Sequence, residues 1–310
     1  MSEMKFPVGI QSFEDLRNKG FVYIDKTAFV YQLVDTGKDC FLSRPRRFGK
    51  SLLMSTIEAY LSGRKDLFEG LALEKLETEW TQYPILHLDL NSQKYDTPEA
   101  LTEVLDETLT KWETVYGSND AEIGLGRRFG GVMQRAYEKT GRQVVVLIDE
   151  YDKPLLQAYG NDDLLNDYRG TLKAFYGNLK SCDKYIKFAL LTGVTKFGKV
   201  SVFSDLNNLM DISMDLRYAP ICGITEGELH DYFDNEIHLL AEAQKMTVEE
   251  TYAKLKEDFD GYHFHEDAEG MYNPFSILNT FNKSFCGFIS NGIIIHTMPE
   301  FYWTAIMSIL

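Results

Sequence analysis

Four short blocks of apolar residues, each flanked by turn or polar residues, predict buried β-strands. The blocks are too short for helices, and long stretches with apolar residues at helical spacing separate them. Continuous apolar runs are typical of parallel strands that are covered on both faces. We therefore predict an α/β fold class, with a parallel sheet covered by helices. The predicted strands are residues 40–43, 85–90, 144–149 and 186–192.

Helices are predicted between these strands at residues 50–61, 98–116 and 166–179. Beyond Gly223 the pattern changes. Thr225 and Thr247 each stand three residues before a glutamate, which is the arrangement of a helix capping box.

Asn273-Pro274 can open a further helix at 275–281. We therefore predict three regions. Residues 1–223 form the main domain, 224–285 a small helical lid or winged-helix-like segment, and 286–310 a divergent apolar tail. The tail carries polar residues that oppose a membrane span.

Residues 44–51, Arg-Pro-Arg-Arg-Phe-Gly-Lys-Ser, lie between the first predicted strand and the first of these helices. A phosphate-binding loop (P-loop) needs main-chain N–H groups around the phosphates, a lysine and a hydroxyl on magnesium, in this strand-to-helix context. Lys50 and Ser51 supply the lysine and the hydroxyl. Arg44 stands where a glycine normally adopts positive φ, which costs a non-glycine residue on the order of 1 kcal/mol, so we expect the loop to be shaped differently from the standard one. Gly-Lys-Ser alone is a weak signal, and an ordinary helix start with a solvated lysine is the alternative.

A pair of acids, Asp149 and Glu150, ends the third predicted strand. Asp149 is predicted to bind Mg²⁺ with Ser51, and Glu150 to orient or deprotonate the attacking water. A helix cap or surface charges at the strand exit would be the alternative for the acids alone. The two motifs support each other because both have the strand context that the chemistry needs.

A carboxylate fixed for water favours a hydrolase over a nucleotide kinase. The strand at 85–90, inserted between the motifs, suits the additional-strand branch of such ATPases. Thr192 ends the fourth strand at the same crevice, where it would sense the γ-phosphate or simply cap the strand. The predicted catalytic residues are Glu150 and Lys50. The predicted nucleotide-binding residues are Arg44, Arg46, Arg47, Phe48, Gly49, Lys50, Ser51, Leu52 and Thr192.

The amino-acid composition limits the class of protein and the partners that it can bind. The 310 residues are 44% apolar and 25% charged, which suits one or two globular domains. A net charge of −15 opposes nonspecific nucleic-acid binding, so DNA would need a local basic patch. The arginines of the loop could contact phosphates, nucleic acid or the acidic surface. Four separated cysteines indicate neither a disulfide scaffold nor a zinc site, and we expect a reducing cytoplasm.

Two further groups of residues are weaker candidates. His263 and His265 could form a two-ligand metal pair, but an aromatic-rich turn is favoured because no third ligand is evident. Lys196 and Lys199 could supply charge in trans, although a solvated loop is favoured.

Several segments resemble the bacterial AAA-ATPase-like family, over roughly residues 6–283. The resemblance implies a P-loop core with a helical lid, and it implies that the arginine-rich loop is a family feature. Members are often fused to a C-terminal domain of the PD-(D/E)XK nuclease superfamily. From about Ser284 the chain departs from the family pattern, which indicates truncation or a shift of frame, and no D…(D/E)-x-K arrangement follows. The segments are 7–11, 23–27, 41–53, 147–155, 203–208, 260–262 and 272–276.

We therefore expect an ATP-binding P-loop ATPase whose Mg²⁺-dependent hydrolysis drives a conformational switch. The alternative is a nucleotide-binding switch without hydrolysis, or an interaction module that regulates a nuclease partner. A third hypothesis, a nucleic-acid enzyme or its regulator, rests on the resemblance alone and is opposed by the acidic charge. The base preference, the oligomeric state and the partner stay open.

Overall fold

A computed structural model describes residues 4–195 and 209–285, which contain five parallel strands in one sheet of order β2-β3-β4-β1-β5. The four predicted strands are present to within one residue, so the α/β prediction is confirmed. The fifth strand pairs with β1 only at Cys40 and Phe41, and two residues are too few to give a sequence pattern. The strands are β1 Asp39–Ser43, β2 Ile85–Asp89, β3 Val144–Asp149, β4 Ile186–Gly193 and β5 Met210–Asp211.

Strand order decides which residues meet. In space it is β4 that separates β1 from β3, while β2 lies at the edge of the sheet beyond β3. Leu42 of β1 is in register with Thr192 of β4. The carboxyl ends of β1, β3 and β4 therefore open on one crevice, where ligands of parallel α/β sheets commonly bind.

Helices cover both faces of the sheet, which explains the continuous apolar runs. In β3, Val144, Val146 and Ile148 join the core against α5, α6 and α8. Val145 and Leu147 join the opposite core against α2, α3 and α4. The helices are α1 Phe13–Asn18, α2 Thr27–Thr36, α3 Lys50–Leu61, α4 Ala72–Leu76, α5 Pro98–Tyr116, α6 Leu125–Thr140, α7 Lys153–Gln157, α8 Asp162–Ser181, α9 Glu226–Gln244, α10 Val248–Phe259 and α11 Pro274–Phe285.

Residues 224–285, here called the C-terminal unit, have an apolar core of their own that includes Phe233 and Phe281. Both predicted capping boxes are present, at Thr225 and Thr247. Phe6 from the start of the chain packs on the same core, with its ring 6.4 Å from that of Phe233. The boundary at residue 223 stays a prediction, and the tail 286–310 lies outside the described residues. Within the part that is described, every helix is too short or too polar to cross a membrane.

Candidate functional site

The candidate phosphate loop, residues 44–51, connects β1 to α3. The main-chain N–H of Arg44 donates to the carbonyl of Gly193 at 3.1 Å, so the loop begins as an extension of the sheet. Positive φ falls on Arg47, at 66°, and on Gly49, at 92°. Arg44 itself does not adopt the left-handed conformation, because the left-handed turn lies three residues further on. Arg47 carries the cost of that conformation instead.

Lys50 is the first residue of α3 and lies inside the curl of the loop. Its Nζ donates to the main-chain carbonyls of Arg44 and Pro45, at 3.1 and 3.3 Å. The same Nζ is 3.4 Å from Oε1 of Glu150, and only 4% of the lysine side chain is exposed. The two predicted catalytic residues thus form a largely buried ion pair across the crevice.

Asp149 is the meeting point of three elements. The Ser51 hydroxyl, from α3, donates to Oδ2 of Asp149 at 2.6 Å. The Thr192 hydroxyl, from β4, donates to Oδ1, which also accepts the main-chain N–H of Glu150 at 3.0 Å. Hydrogen bonds to a carboxylate are stronger than those between neutral groups. The structure therefore brings together Ser51, Asp149 and Thr192, and the threonine hydroxyl donates a hydrogen bond to the carboxylate.

Glu150 follows directly and has a left-handed backbone, with φ at 54°. This conformation costs a residue with a Cβ roughly 1–2 kcal/mol, and such strain is concentrated at functional sites. Burial raises the pKa of the Glu150 carboxyl, and the charge of Lys50 opposes that shift. The next residue fixes the turn, because the N–H of Tyr151 donates to the carbonyl of Thr192 at 2.9 Å.

Asp152 was not predicted as a site residue, yet it is fully buried behind the crevice. Its Oδ2 accepts the N–H and the hydroxyl of Thr195, each at 2.7 Å, and the N–H of Val194 at 3.1 Å. Burial raises its pKa. A Cβ at Gly193 would lie 2.5 Å from the ring of Tyr151, so only glycine fits there. The one sequence signal for this residue, which anchors the chain beyond β4, was a third acid three residues after the end of β3.

Arg44 was predicted to bind the nucleotide, but its side chain is turned away from the curl. Only 1% of it is exposed, and its guanidinium donates to main-chain carbonyls, among them those of Ser213 and Tyr218. The buried carbonyls bond both terminal nitrogens of the guanidinium, and the ring of Phe264 lies 3.8 Å from its Cζ. The main-chain carbonyl of Arg44, in contrast, belongs to the curl that holds Lys50.

The other loop side chains divide between two directions. Arg47 stacks on the ring of Phe275, and Phe48 is fully buried against the C-terminal unit. Arg46 lines a cleft of about 380 Å³ together with Glu150, so it is the arginine that faces the crevice. Asn91, Lys153 and Leu156 line the remainder of this cleft.

The residues present fit a magnesium ion that is bound together with a nucleotide. Among the described residues, 4–195 and 209–285, no cluster of three or more His, Cys, Asp or Glu side chains could hold a metal ion. Mg²⁺ does not need one, because it keeps several waters and takes one or two protein oxygens besides those of phosphate. The adjacent oxygens of Ser51 and Asp149 are of this kind.

Two weaker candidates have different outcomes. His263 lies in the turn between α10 and α11, with Nδ1 3.4 Å from the carbonyl of Ala268. His265 accepts the N–H of Asp267 in the same turn. Lys196 and Lys199 lie outside the described residues.

A parallel sheet in which β4 separates β1 from β3, with a glycine-lysine-serine loop opening α3, defines the class as an α/β P-loop NTPase-like core. The chain belongs to the AAA-ATPase-like family of predicted AAA-ATPases, whose family model matches residues 7–203. The predicted family is therefore confirmed.

The chain is also similar to a curated relative from Azotobacter chroococcum mcd 1, described as an uncharacterized protein in the vnfD 5' region. The two are 36% identical over 285 residues, which is 91% of this chain and 53% of the relative. The chain thus spans about half the length of that relative.

Proposed function

We propose that this protein binds ATP with Mg²⁺ at the candidate phosphate loop and hydrolyses it. One observation carries the proposal: the Ser51 and Thr192 hydroxyls converge on Asp149 where Lys50 and Glu150 also meet. This is the set of groups that ATP hydrolysis requires, namely a cation for phosphate, oxygens for a metal and a carboxylate for water.

Each group has a defined task. The N-terminus of α3 and the loop N–H groups favour an anion. Lys50 would exchange its contact with Glu150 for the β- and γ-phosphate oxygens. Glu150, once released, would orient the attacking water and accept its proton. When bound at Ser51 and Asp149, magnesium would neutralise charge on the phosphate oxygens.

A mostly apolar cavity of about 100 Å³ lies beside the loop, and we place the base of the nucleotide against this side of the loop. Gly49 and Leu52 line it at the start of α3, and Val22, Ile24 and Leu278 add apolar surface. Apolar side chains can pack on the faces of a purine base, as in other small-molecule sites. Leu52 would then contact the base rather than the phosphates.

The test measures phosphate release and ATP binding separately. Lys50→Ala is expected to weaken ATP binding, because the cation at the phosphates is lost. Glu150→Gln is expected to keep binding and lower turnover by about 10²–10⁴-fold, the usual contribution of a general base. Lys111→Ala, at an exposed lysine paired with Glu107, is the matched control and should behave as wild type. Turnover that survives both site variants would refute hydrolysis at this site.

The alternative is a nucleotide-binding switch without turnover. The Lys50–Glu150 ion pair favours it, since a carboxylate held by the lysine is not free to orient water. Tight ATP binding by wild type, with no phosphate released, would select this alternative.

A nuclease or other protein partner follows from the family resemblance alone, whereas a cytoplasmic site of action rests on the four separated cysteines. Titrating DNA at low salt while phosphate release is measured tests the nucleic-acid hypothesis. No DNA stimulation under these conditions, where electrostatic binding is strongest, would count against it.

A further inference from the structure

Side chains of the candidate phosphate loop contact the C-terminal unit, and these contacts suggest a purpose for the arginine-rich sequence. The main chain of the loop curls around Lys50. Side chains of the same loop pack against residues 262–275 of the C-terminal unit. The contacts are Arg44 with Phe264 (3.8 Å from Cζ to the ring centroid), Arg47 with Phe275 (4.0 Å, likewise), and Phe48 with Tyr262 (4.7 Å) and Phe264 (5.5 Å), the last two between ring centroids.

Arg44 is held from two sides, by the ring of Phe264 in the C-terminal unit and by main-chain carbonyls of residues 213–219, which precede that unit. Its Nη1 donates to the carbonyl of Ser213 at 2.7 Å, and its Nη2 to those of Tyr218 and Ala219, at 3.1 and 3.3 Å. Through the residues that the structure describes, no carboxylate forms an ion pair with it, and burial lowers its pKa to about 10. A buried cation of this kind tolerates little displacement, because any lost carbonyl leaves the charge unsatisfied.

The same residue touches the phosphate site through its main chain. The carbonyl of Arg44 accepts Nζ of Lys50 at 3.1 Å, while its N–H is bonded to β4. A second main-chain link runs from Gly223, whose N–H donates to the carbonyl of Phe48 at 3.2 Å just before the C-terminal unit begins. The loop main chain that holds Lys50 is thus bonded directly to residues that border the C-terminal unit.

We propose that Arg44 is a positioning residue that couples the conformation of the candidate phosphate loop to the docking of the C-terminal unit, with Phe264 as its partner. This inference rests on the proposed nucleotide binding. If the nucleotide-bound loop favours docking, docking must favour the nucleotide by the same factor. Docking of the C-terminal unit therefore depends on whether the nucleotide is bound, although the Arg44 side chain does not contact the phosphates.

The test is hydrogen exchange of residues 224–282 in the full chain, with and without Mg²⁺ and ATP. In wild type, ATP should slow exchange in this unit. Arg44→Lys keeps the charge but loses the planar fork and the stacking, and Phe264→Leu removes the ring from the other side. Both should lose the ATP-induced protection and weaken ATP binding by about 5- to 150-fold, the usual range of a coupling between sites.

Two controls separate coupling from simple loss of structure. Arg142→Lys, at an exposed arginine, should behave as wild type. The double variant of Arg44 and Phe264 should lose less ATP affinity than the sum of the two single losses, because both single variants remove the shared Arg44–Phe264 contact. Additive losses, or unchanged ATP-induced protection in either single variant, would overturn the proposal.

Phe264→Leu carries the test by itself if Arg44→Lys does not fold, since it alters the contact from the C-terminal side. The result also separates this inference from the proposed function. Wild type that binds no ATP overturns the proposed function and the coupling with it. Wild type that binds ATP with no change in exchange of the unit overturns the coupling alone.

Discussion

Removing the hydroxyl of Thr192 tests the network that holds Asp149. Thr192→Val keeps the β-branched shape that suits a buried strand but deletes the donor to Oδ1. A hydrogen bond to a charged group contributes about 1.5–3 kcal/mol, and Oδ1 keeps only the N–H of Glu150. We expect the free energy of unfolding to fall by about that amount.

Urea unfolding without nucleotide measures this loss, and the midpoint should shift with little change in the slope. A double-mutant cycle isolates the hydrogen bond: Thr192→Val is made in wild type and in Asp149→Ala, where the acceptor is already absent. The valine should cost at least about 1 kcal/mol more in wild type.

Thr192→Val should also weaken the stabilisation that Mg²⁺ and ATP give to the folded protein. Thr192→Ser, which loses a methyl group but keeps the hydroxyl, should retain this stabilisation. Equal costs of the valine in both backgrounds would refute the proposed network.

Three further predictions concern groups around the site. Burial raises the pKa of Glu150, and the carboxyl must be ionised to accept a proton. As the pH is lowered, ATP turnover should therefore begin to fall at a pH above the range in which a glutamate ordinarily titrates. A pH–rate profile that is flat in that region contradicts this. Asp152→Ala should cost roughly 2–4 kcal/mol in urea unfolding, because two main-chain donors lose their acceptor, and Asp152→Asn should cost less. Lys26→Met should lower the free energy of unfolding by about 3 kcal/mol, since it leaves the Glu228 carboxylate, 2.5 Å away in the native pair, without its cation. Adding Glu228→Gln to this variant should restore part of the lost stability. No restoration would show that the ion pair is not the cause.

Periodicity and turn signals were enough to predict the strands of the core and both capping boxes, because buried parallel strands and helix caps leave local patterns. The helix α6 was missed. It contains several glycines, which disfavour a helix locally, but a Cβ at Gly126 would lie 2.9 Å from Nδ2 of Asn178 on α8. Close packing of two helices, a tertiary requirement, therefore overrides the local preference.

The candidate site shows the same division between local and tertiary information. That Lys50, Ser51 and Asp149 lie close together could be predicted because strand ends of one sheet meet at one edge, while their roles stay predictions. The role of Asp152 could not, since its partners at 194 and 195 are distant in sequence. The direction of the Arg44 side chain likewise depends on carbonyls near residue 215 that no motif of the loop specifies.

The position of the strain explains how the loop can dispense with its first glycine. Left-handed backbone is needed at Arg47 and Gly49, so a side chain at residue 44 meets no conformational penalty of that kind. Arg47 does carry a cost on the order of 1 kcal/mol, which stacking on Phe275 offsets in part. A glycine at residue 44 would instead leave the buried carbonyls of Ser213 and Tyr218 without this donor, at about 1–3 kcal/mol for each that stays unsatisfied. Arginine is therefore favoured at residue 44 by the buried carbonyls of residues 213–219 and by the ring of Phe264, and the proposed phosphate binding at the main chain places no demand against it.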